Sequence, residues 1–276
     1  MMQTTNADII SLKEEHYTPY ELAEAAYEVM EFIDLDPASC VEANKVIHAY
    51  KFFTKEDNGL SKEWHGRVFL NPPGRKLRKG DLELEWAEEH DIECRPCSSI
   101  WWKKLLMEYE AGRVRQAIYI AFNPKQLAIN QEMFQYPMCF TTSKATSSCV
   151  NNQGRIKFLS IKPNIKDLVT IEQIQKILGV KDVIAAEILD AIEDDSWDTV
   201  DGLLSRLSLD DKKKKTLRTK FIKKVAFPDD LEVLIEQEEP TQQNVIVYLP
   251  PKDDYRWHVI RFKTVFRKFG MTGELH

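Results

Sequence analysis

Arg67-Val68-Phe69-Leu70-Asn71-Pro72-Pro73-Gly74 is an apolar run with an abrupt end. Val68, Phe69 and Leu70 have the pattern of a buried strand. Neither proline after Asn71 has an N–H to give to a sheet ladder, so the strand stops there. An amide side chain is thereby held on a stiff backbone at the carboxyl end of a strand, where ligands of open α/β sheets collect. Asn71 brings one carbonyl acceptor and the Pro72 main-chain carbonyl a second. Two adjacent acceptors suit an exocyclic amino group with its two N–H donors. Asn and Pro are also ordinary turn residues, and a tight turn explains these residues equally well on their own.

Upstream, Tyr17-Thr18-Pro19-Tyr20 predicts a helix start. Thr18 suits the N-cap, Pro19 the first helical position, and Glu21 a capping box with Thr18. Leu22, Ala25, Ala26 and Met30 then form an apolar face. Phe32, Ile33 and Leu35 suit a first parallel strand that ends in Asp36-Pro37-Ala38-Ser39. Small residues let a nucleoside approach the backbone, and a carboxylate there can bond to a ribose hydroxyl or an ammonium group. It can equally cap the turn before a helix over Val41 to His48. A second strand is expected at Ala49 to Phe53, followed by the polar loop Thr54 to Leu60.

Downstream of the central stretch, Arg75 to Ser99 predicts a long polar loop with a short helix at Leu82 to Glu89. Ile100 to Gly112 reads as a helix, Arg115 to Phe122 as a buried strand and Gln126 to Gln135 as helical. Met138 to Thr141 and Gly154 to Leu159 read as strands, the latter at an edge. From residue 163 the pattern turns helical, with Asp195-Ser196-Trp197-Asp198 as a helix start and a basic helix over Leu209 to Val225. Its Lys212, Lys213, Lys214, Lys215 and Arg218 suit DNA phosphates, or simply a solvated face. The chain returns to a strand at Asn244 to Leu249 and a helix at Trp257 to Phe269, capped by Gly270. The expected organisation is a flexible start over 1–15, a core over 16–162 and 241–276, and a helical insertion over 163–240.

Composition narrows the classes. The 276 residues are 43% hydrophobic and 10% aromatic, enough for a substantial core. No apolar run reaches the ~18–20 residues of a membrane span, and residues 1–12 lack an apolar signal core. A cytoplasmic protein, with no membrane partner, is expected. Five scattered cysteines, Cys40, Cys94, Cys97, Cys139 and Cys149, argue against a disulfide framework. Cys94-x-x-Cys97 is half of a zinc site with no second pair, so no metal is expected. The net charge of −6 excludes a general polycation, leaving the local block at 212–224 as the nucleic-acid candidate.

Strands alternating with helices predict a mostly parallel α/β sheet. Within it, Tyr17-Thr18-Pro19, Ile33-Asp34-Leu35-Asp36-Pro37-Ala38-Ser39, Thr54 to Leu60 and Trp64 to Pro73 resemble, in order and spacing, the phage-type (Dam-like) DNA N6-adenine methyltransferases. Trp101-Trp102, Gly154 to Phe158 and Asn244 to Tyr248 resemble later segments of that family. The resemblance covers residues 15–160 and 241–272 and leaves the helical stretch outside it. It implies a Rossmann-like fold using S-adenosylmethionine, with double-stranded DNA as substrate. It implies cofactor contacts from Tyr17, Thr18, Pro19, Asp34, Asp36, Pro37, Ala38, Ser39 and Asp57. Asn71 and Pro72, with Pro73 and Gly74 completing the catalytic motif, would hold the amino group of a flipped adenine. The family's common form has an aromatic residue where this chain has Gly74. Another aromatic, Trp64, Trp101, Trp102 or Phe134, would then replace it, or the motif is a functional branch. The alternative function is a catalytically silent scaffold that binds DNA or a protein partner.

Overall fold

The computed structural model describes residues 16–93, 96–194, 197, 199–227, 234–236 and 242–274. The expected flexible start over 1–15, Cys94, and Asp195, Ser196 and Asp198 lie outside these residues. The chain divides into a sheet unit, drawn from Tyr17–Phe158 and the C-terminal segment, and a helical unit in Leu159–Glu236.

In chain order the sheet unit has α1 (Tyr20–Met30), β1 (Leu35–Asp36), α2 (Val41–Ile47), β2 (Lys51–Phe52), β3 (Gly66–Leu70), α3 (Leu82–Glu89), α4 (Cys97–Glu110), β4 (Val114–Ala121), α5 (Lys125–Ile129) and β5 (Met138–Thr141). The helical unit then supplies β6 (Leu159–Ile161), α6 (Ile171–Leu178), α7 (Asp182–Glu193), α8 (Val200–Arg206), α9 (Asp211–Lys224) and β7 (Leu234–Glu236). β8 (Val245–Leu249), α10 (Tyr255–Phe266) and β9 (Gly270–Gly273) complete the sheet unit.

Seven strands pair in the order β2-β1-β3-β4-β8-β5-β9. The first four are mutually parallel, with Leu35 opposite Lys51 and Val68, and Leu70 opposite Tyr119. β8 lies antiparallel between β4 and β5, and β9 is antiparallel to β5. The sheet is therefore mixed yet mostly parallel, as the strand–helix alternation predicted: β1 to β5 run one way, β8 and β9 the other. β8 and β9 run the same way and are joined around β5 by α10, as a crossover requires.

Alternation along the strands builds two core layers. Val68, Leu70, Ala117, Tyr119, Val245 and Val247 pack with Trp101, Trp102 and Leu105 of α4. Phe69, Ile118, Ile120, Ile246 and Tyr248 are buried on the other face. There the Tyr248 ring stacks on Phe262 of α10 with centroids 5.0 Å apart. Trp64 and Trp102 have no exposed surface. Each withdraws up to ~250 Å² from water, an upper bound of about 6 kcal/mol of stabilisation.

Local chemistry moved several boundaries. α1 is capped by Pro19, not Thr18, and no capping box forms. Glu21 instead accepts from the Ser148 N–H at 2.9 Å and hydroxyl at 2.7 Å. α4 begins at Cys97, three residues before the apolar pattern, because buried partners occupy its first-turn hydroxyls: Gln126 donates to Ser98 and Asn130 to Ser99. Phe32 is not in β1; it is half exposed, with the Arg67 guanidinium 3.7 Å above its ring. The expected strand Gly154 to Leu159 is a turn with one bridge, Val150 to Ile156, and Leu159 belongs to β6. Gly154 takes φ +77°, which ends strand geometry there. Gly270 does not cap a helix but opens β9, where a Cβ would stand 1.9 Å from the Phe140 carbonyl oxygen.

The helical unit has its own core, from Ile174, Ile177 and Leu178 through Ile188, Leu203 and Leu204 to Leu217 and Phe221. Thr170 and Gln173 form a capping box at the start of α6, and Gly179 ends it in the left-handed region. Thr199, just beyond the expected Asp195–Asp198 start, caps α8. β6 and β7 pair antiparallel, Leu159 opposite Glu236. Among the described residues no helix is long and apolar enough to cross a membrane.

Candidate functional site

From β1 the chain steps to β2 on one side, then passes back across β1 to form β3 on the other. Strand order thus reverses between β1 and β3, and a crevice opens outside their carboxyl ends at such a reversal. Asp36 ends β1 and Asn71 follows β3, so these two side chains flank the reversal.

Asp36 is only 3% exposed. Its Oδ1 accepts from the Ala38 N–H at 3.3 Å, and the Ser39 hydroxyl lies beside it. Burial outweighs the Ala38 bond and the nearby Ser39 hydroxyl and pushes the carboxyl up to about 7 from its ordinary 3.8. A buried carboxyl beside the unpartnered Ser39 hydroxyl fits a ligand hydroxyl or ammonium. Pro37 is buried behind it, and the loop 54–61 folds closely over Pro37: a Cβ on Gly59 would lie 2.0 Å from the Pro37 carbonyl oxygen. Ser39 N–H bonds to the Phe53 carbonyl at 2.9 Å, fixing the Asp36–Ser39 turn against the end of β2.

Thr18 is buried, and its hydroxyl oxygen is 3.5 Å from the Asn71 side-chain nitrogen. Thr18 gives up the helix cap and instead orients the Asn71 amide. Tyr17 and Pro19 are buried on either side of it. Pro72 is buried, Pro73 half-buried and Gly74 exposed.

Two expected cofactor residues are used elsewhere. Asp34 accepts from the Arg67 N–H at 2.7 Å, and the close approach of its carboxylate to Gly66 leaves no room there for a Cβ. It caps the start of β3, at the end of the strand away from Asn71. Asp57 is exposed and binds Thr54 through its N–H at 2.8 Å and its hydroxyl at 2.9 Å, closing the loop on itself.

None of the expected replacements for the missing aromatic stands free at the crevice. Trp64, Trp101 and Trp102 are buried in the core, and Phe134 packs against it. Phe122, which sequence reasoning left inside a strand, is the ring beside Gly74. A Cβ on Gly74 would lie 3.6–3.9 Å from Phe122 Cγ, Cδ1 and Cδ2. Asn244 donates to the Phe122 carbonyl at 3.0 Å, and Phe158 stacks on the ring at 6.4 Å with 22° between planes. The register of β3 on β4 was the signal that could have found it: Leu70 opposite Tyr119 runs on to set Pro73 level with Phe122.

In the helical unit, Arg218 grips Asp201 with two bonds of 2.8 and 3.2 Å, and Lys213 pairs with Asp210 at 3.0 Å. Lys212 and Lys215 are exposed and Lys214 half-buried. Cys97 is buried against Glu83, its Sγ 3.5 Å from Oε1, and among the described residues no group of three His, Cys, Asp or Glu side chains can hold a metal ion.

The fold defines an α/β protein whose strand order reverses between β1 and β3, compatible with a Rossmann-like sheet. Compared with family models, curated proteins and solved structures, the chain has no match.

Proposed function

We propose that the protein transfers a methyl group from S-adenosylmethionine to the N6 amino group of adenine in DNA. One observation carries this: a buried Asp36 carboxyl and an Asn71 amide held beside Thr18 flank the same strand reversal. Asp36, with Pro37, Ala38 and Ser39, would hold the cofactor's hydroxyl or ammonium groups, and Thr18 and Pro19 its other end. The cofactor supplies an electrophilic methyl on a sulfonium.

Asn71 and the Pro72 carbonyl do the rest by position. Both accept N–H bonds from the amino group, which turns its lone pair outward and stabilises the positive charge that develops on nitrogen. No side-chain nucleophile is needed. The amino group cannot reach these acceptors while paired and stacked, so the adenine is flipped out. Incubating the purified protein with methyl-labelled cofactor and mixed-sequence DNA tests this; label on N6-methyladenine is expected, and its absence with cofactor bound rejects the activity.

Gly74 favours a second possibility, a silent scaffold that binds DNA through Lys212, Lys214 and Lys215. Replacing those lysines would then abolish DNA binding in a protein that never transfers label.

A further inference from the structure

The two edges of the sheet differ in charge. The segments that follow β3, β4 and β5 all leave from the carboxyl edge, the edge that carries Asp36 and Asn71. They place Lys76, Arg78 and Lys79 after β3, Lys125 after β4 and Lys144 after β5, and all five residues are exposed. Residues 71–81, 122–125 and 142–158 contain a single acid, Asp81. It is engaged by the Arg75 guanidinium and the Arg78 N–H. Among the described residues Lys76, Lys79, Lys125 and Lys144 enter no ion pair. The opposite edge is mixed and paired: Arg67 with Glu31, Arg113 with Glu108 and Arg115 with Asp253. Interspersed, paired charge is the ordinary solvated surface; a run of one sign is what steers a charged partner.

We propose that this basic rim is the docking surface for the backbone of duplex DNA, which runs from Asn71 past β4 to β5. The choice of DNA rests on the proposed function. β3, β4, β8 and β5 are successive neighbours, so three steps of ~4.8 Å set the outer segments ~14 Å apart. One DNA strand carries a phosphate about every 3.4 Å of helix axis, so ~14 Å spans about four phosphates. The rim therefore has the reach and the number of cations to neutralise them. The five residues of β3 rise ~16 Å from the opposite edge, beyond the ~8–10 Å over which salt screens charge. The net charge of −6 thus does not cancel the rim. On the other side of Asn71, Lys55 is offset by Glu56 and Asp57, which leaves the Asp36 half of the edge to the cofactor. The surface is built by the sheet unit alone, without the lysines of α9.

The test uses the full chain with Lys76, Lys79, Lys125 and Lys144 all replaced by glutamine. A second protein carries Lys62→Gln and Lys252→Gln at the opposite edge as a control for net charge, and a third has arginine at the four rim positions. Fluorescence anisotropy reads the binding of a short labelled duplex of mixed sequence from about 50 to 200 mM salt. The glutamine rim variant should lose about 3 to 4 from the slope of log affinity against log salt, about 0.9 for each phosphate no longer neutralised. The control and the arginine variant should keep the slope of the unaltered protein, and calorimetry should show unchanged affinity for S-adenosylmethionine in all three. An unchanged slope in the glutamine rim variant, an equal loss per residue in the control, or no binding of the duplex by the unaltered protein overturns the rim. Methyl transfer from labelled cofactor separates this from the proposed function. Transfer by the unaltered protein with an unchanged slope in the rim variant removes the rim and leaves the function standing. Rim-dependent binding without transfer removes the function and leaves the rim.

Discussion

Replacing Asp36 with asparagine should flatten the pH dependence of stability. The carboxyl titrates at about 7 in the folded protein and near 3.8 when unfolded. Between those values the native state holds a proton that the unfolded chain has lost, so stability falls as pH rises through that window and levels off above 7. From pH 5 to pH 8 the loss runs over about two pH units, at ~1.36 kcal/mol each, or about 3 kcal/mol. Asparagine cannot titrate, so wild type should lose about 3 kcal/mol more than Asp36→Asn across that range. In a chain of this size that is roughly 6 °C in melting temperature. At pH 8 the variant should also be the more stable of the two, by up to about 4 kcal/mol less the ~1–3 kcal/mol that an unpaired buried amide costs. Urea unfolding at pH 5, 6, 7 and 8, followed by tryptophan fluorescence, reads the sheet unit, since only Trp197 of the six tryptophans lies in the helical unit. Parallel stability curves for the two proteins would refute a desolvated carboxyl at this position. A variant that is stabler yet no longer binds S-adenosylmethionine would identify Asp36 as a group kept for its ligand.

Other outcomes follow from the same geometry. Asn71→Ala should cut methyl transfer by about 10²–10³-fold, the usual worth of one preorganised polar group, while calorimetry shows cofactor affinity changed less than about threefold. Joint replacement of Lys212, Lys214 and Lys215 by glutamine should reduce the slope of log affinity for DNA against log salt by up to ~3, about 0.9 for each phosphate no longer neutralised; an unchanged slope removes α9 from the interface. Gly59→Ala drives a Cβ to 2.0 Å from the Pro37 carbonyl oxygen. It should cost about 1–3 kcal/mol in thermal unfolding and weaken cofactor binding through the displaced Asp36–Ser39 turn.

The strands that carry strong apolar runs were legible, because burial on both faces leaves a continuous signal: β3, β4, β5 and β8 lie where Val68–Leu70, Ala117–Ile120, Met138–Phe140 and Val245–Leu249 predict. So was the placement of Asp36 at the end of β1 and of Asn71 just after its parallel neighbour β3. What escaped was set by partners distant in sequence. Thr18 has the right chemistry for a cap, yet its hydroxyl meets Asn71, 53 positions away. Asp34 and Asp36 look alike in sequence, yet Asp34 precedes β1 and caps Arg67 while Asp36 ends the strand, buried. The direction of β8 had no local signature, because an antiparallel strand between two parallel neighbours carries the same apolar residues as a parallel one. Phe122 read as the last residue of a strand, and only pairing with β3 brings it beside Gly74.

β8 has a consequence for the order in which the protein is made. β4 and β5 are complete by Thr141, but the strand that joins them begins at Val245, beyond the entire helical unit. At ~5–20 residues per second, about 100 residues of synthesis leave β4 with an open edge and β5 with no sheet partner for roughly 5–20 s. The helical unit, whose pairing strands both lie within Leu159–Glu236, can fold in that interval. The ribosome therefore delivers a finished module before the sheet that surrounds it in sequence can close. The apolar edge of β4 is the segment most exposed to chaperones and to misassociation while it waits.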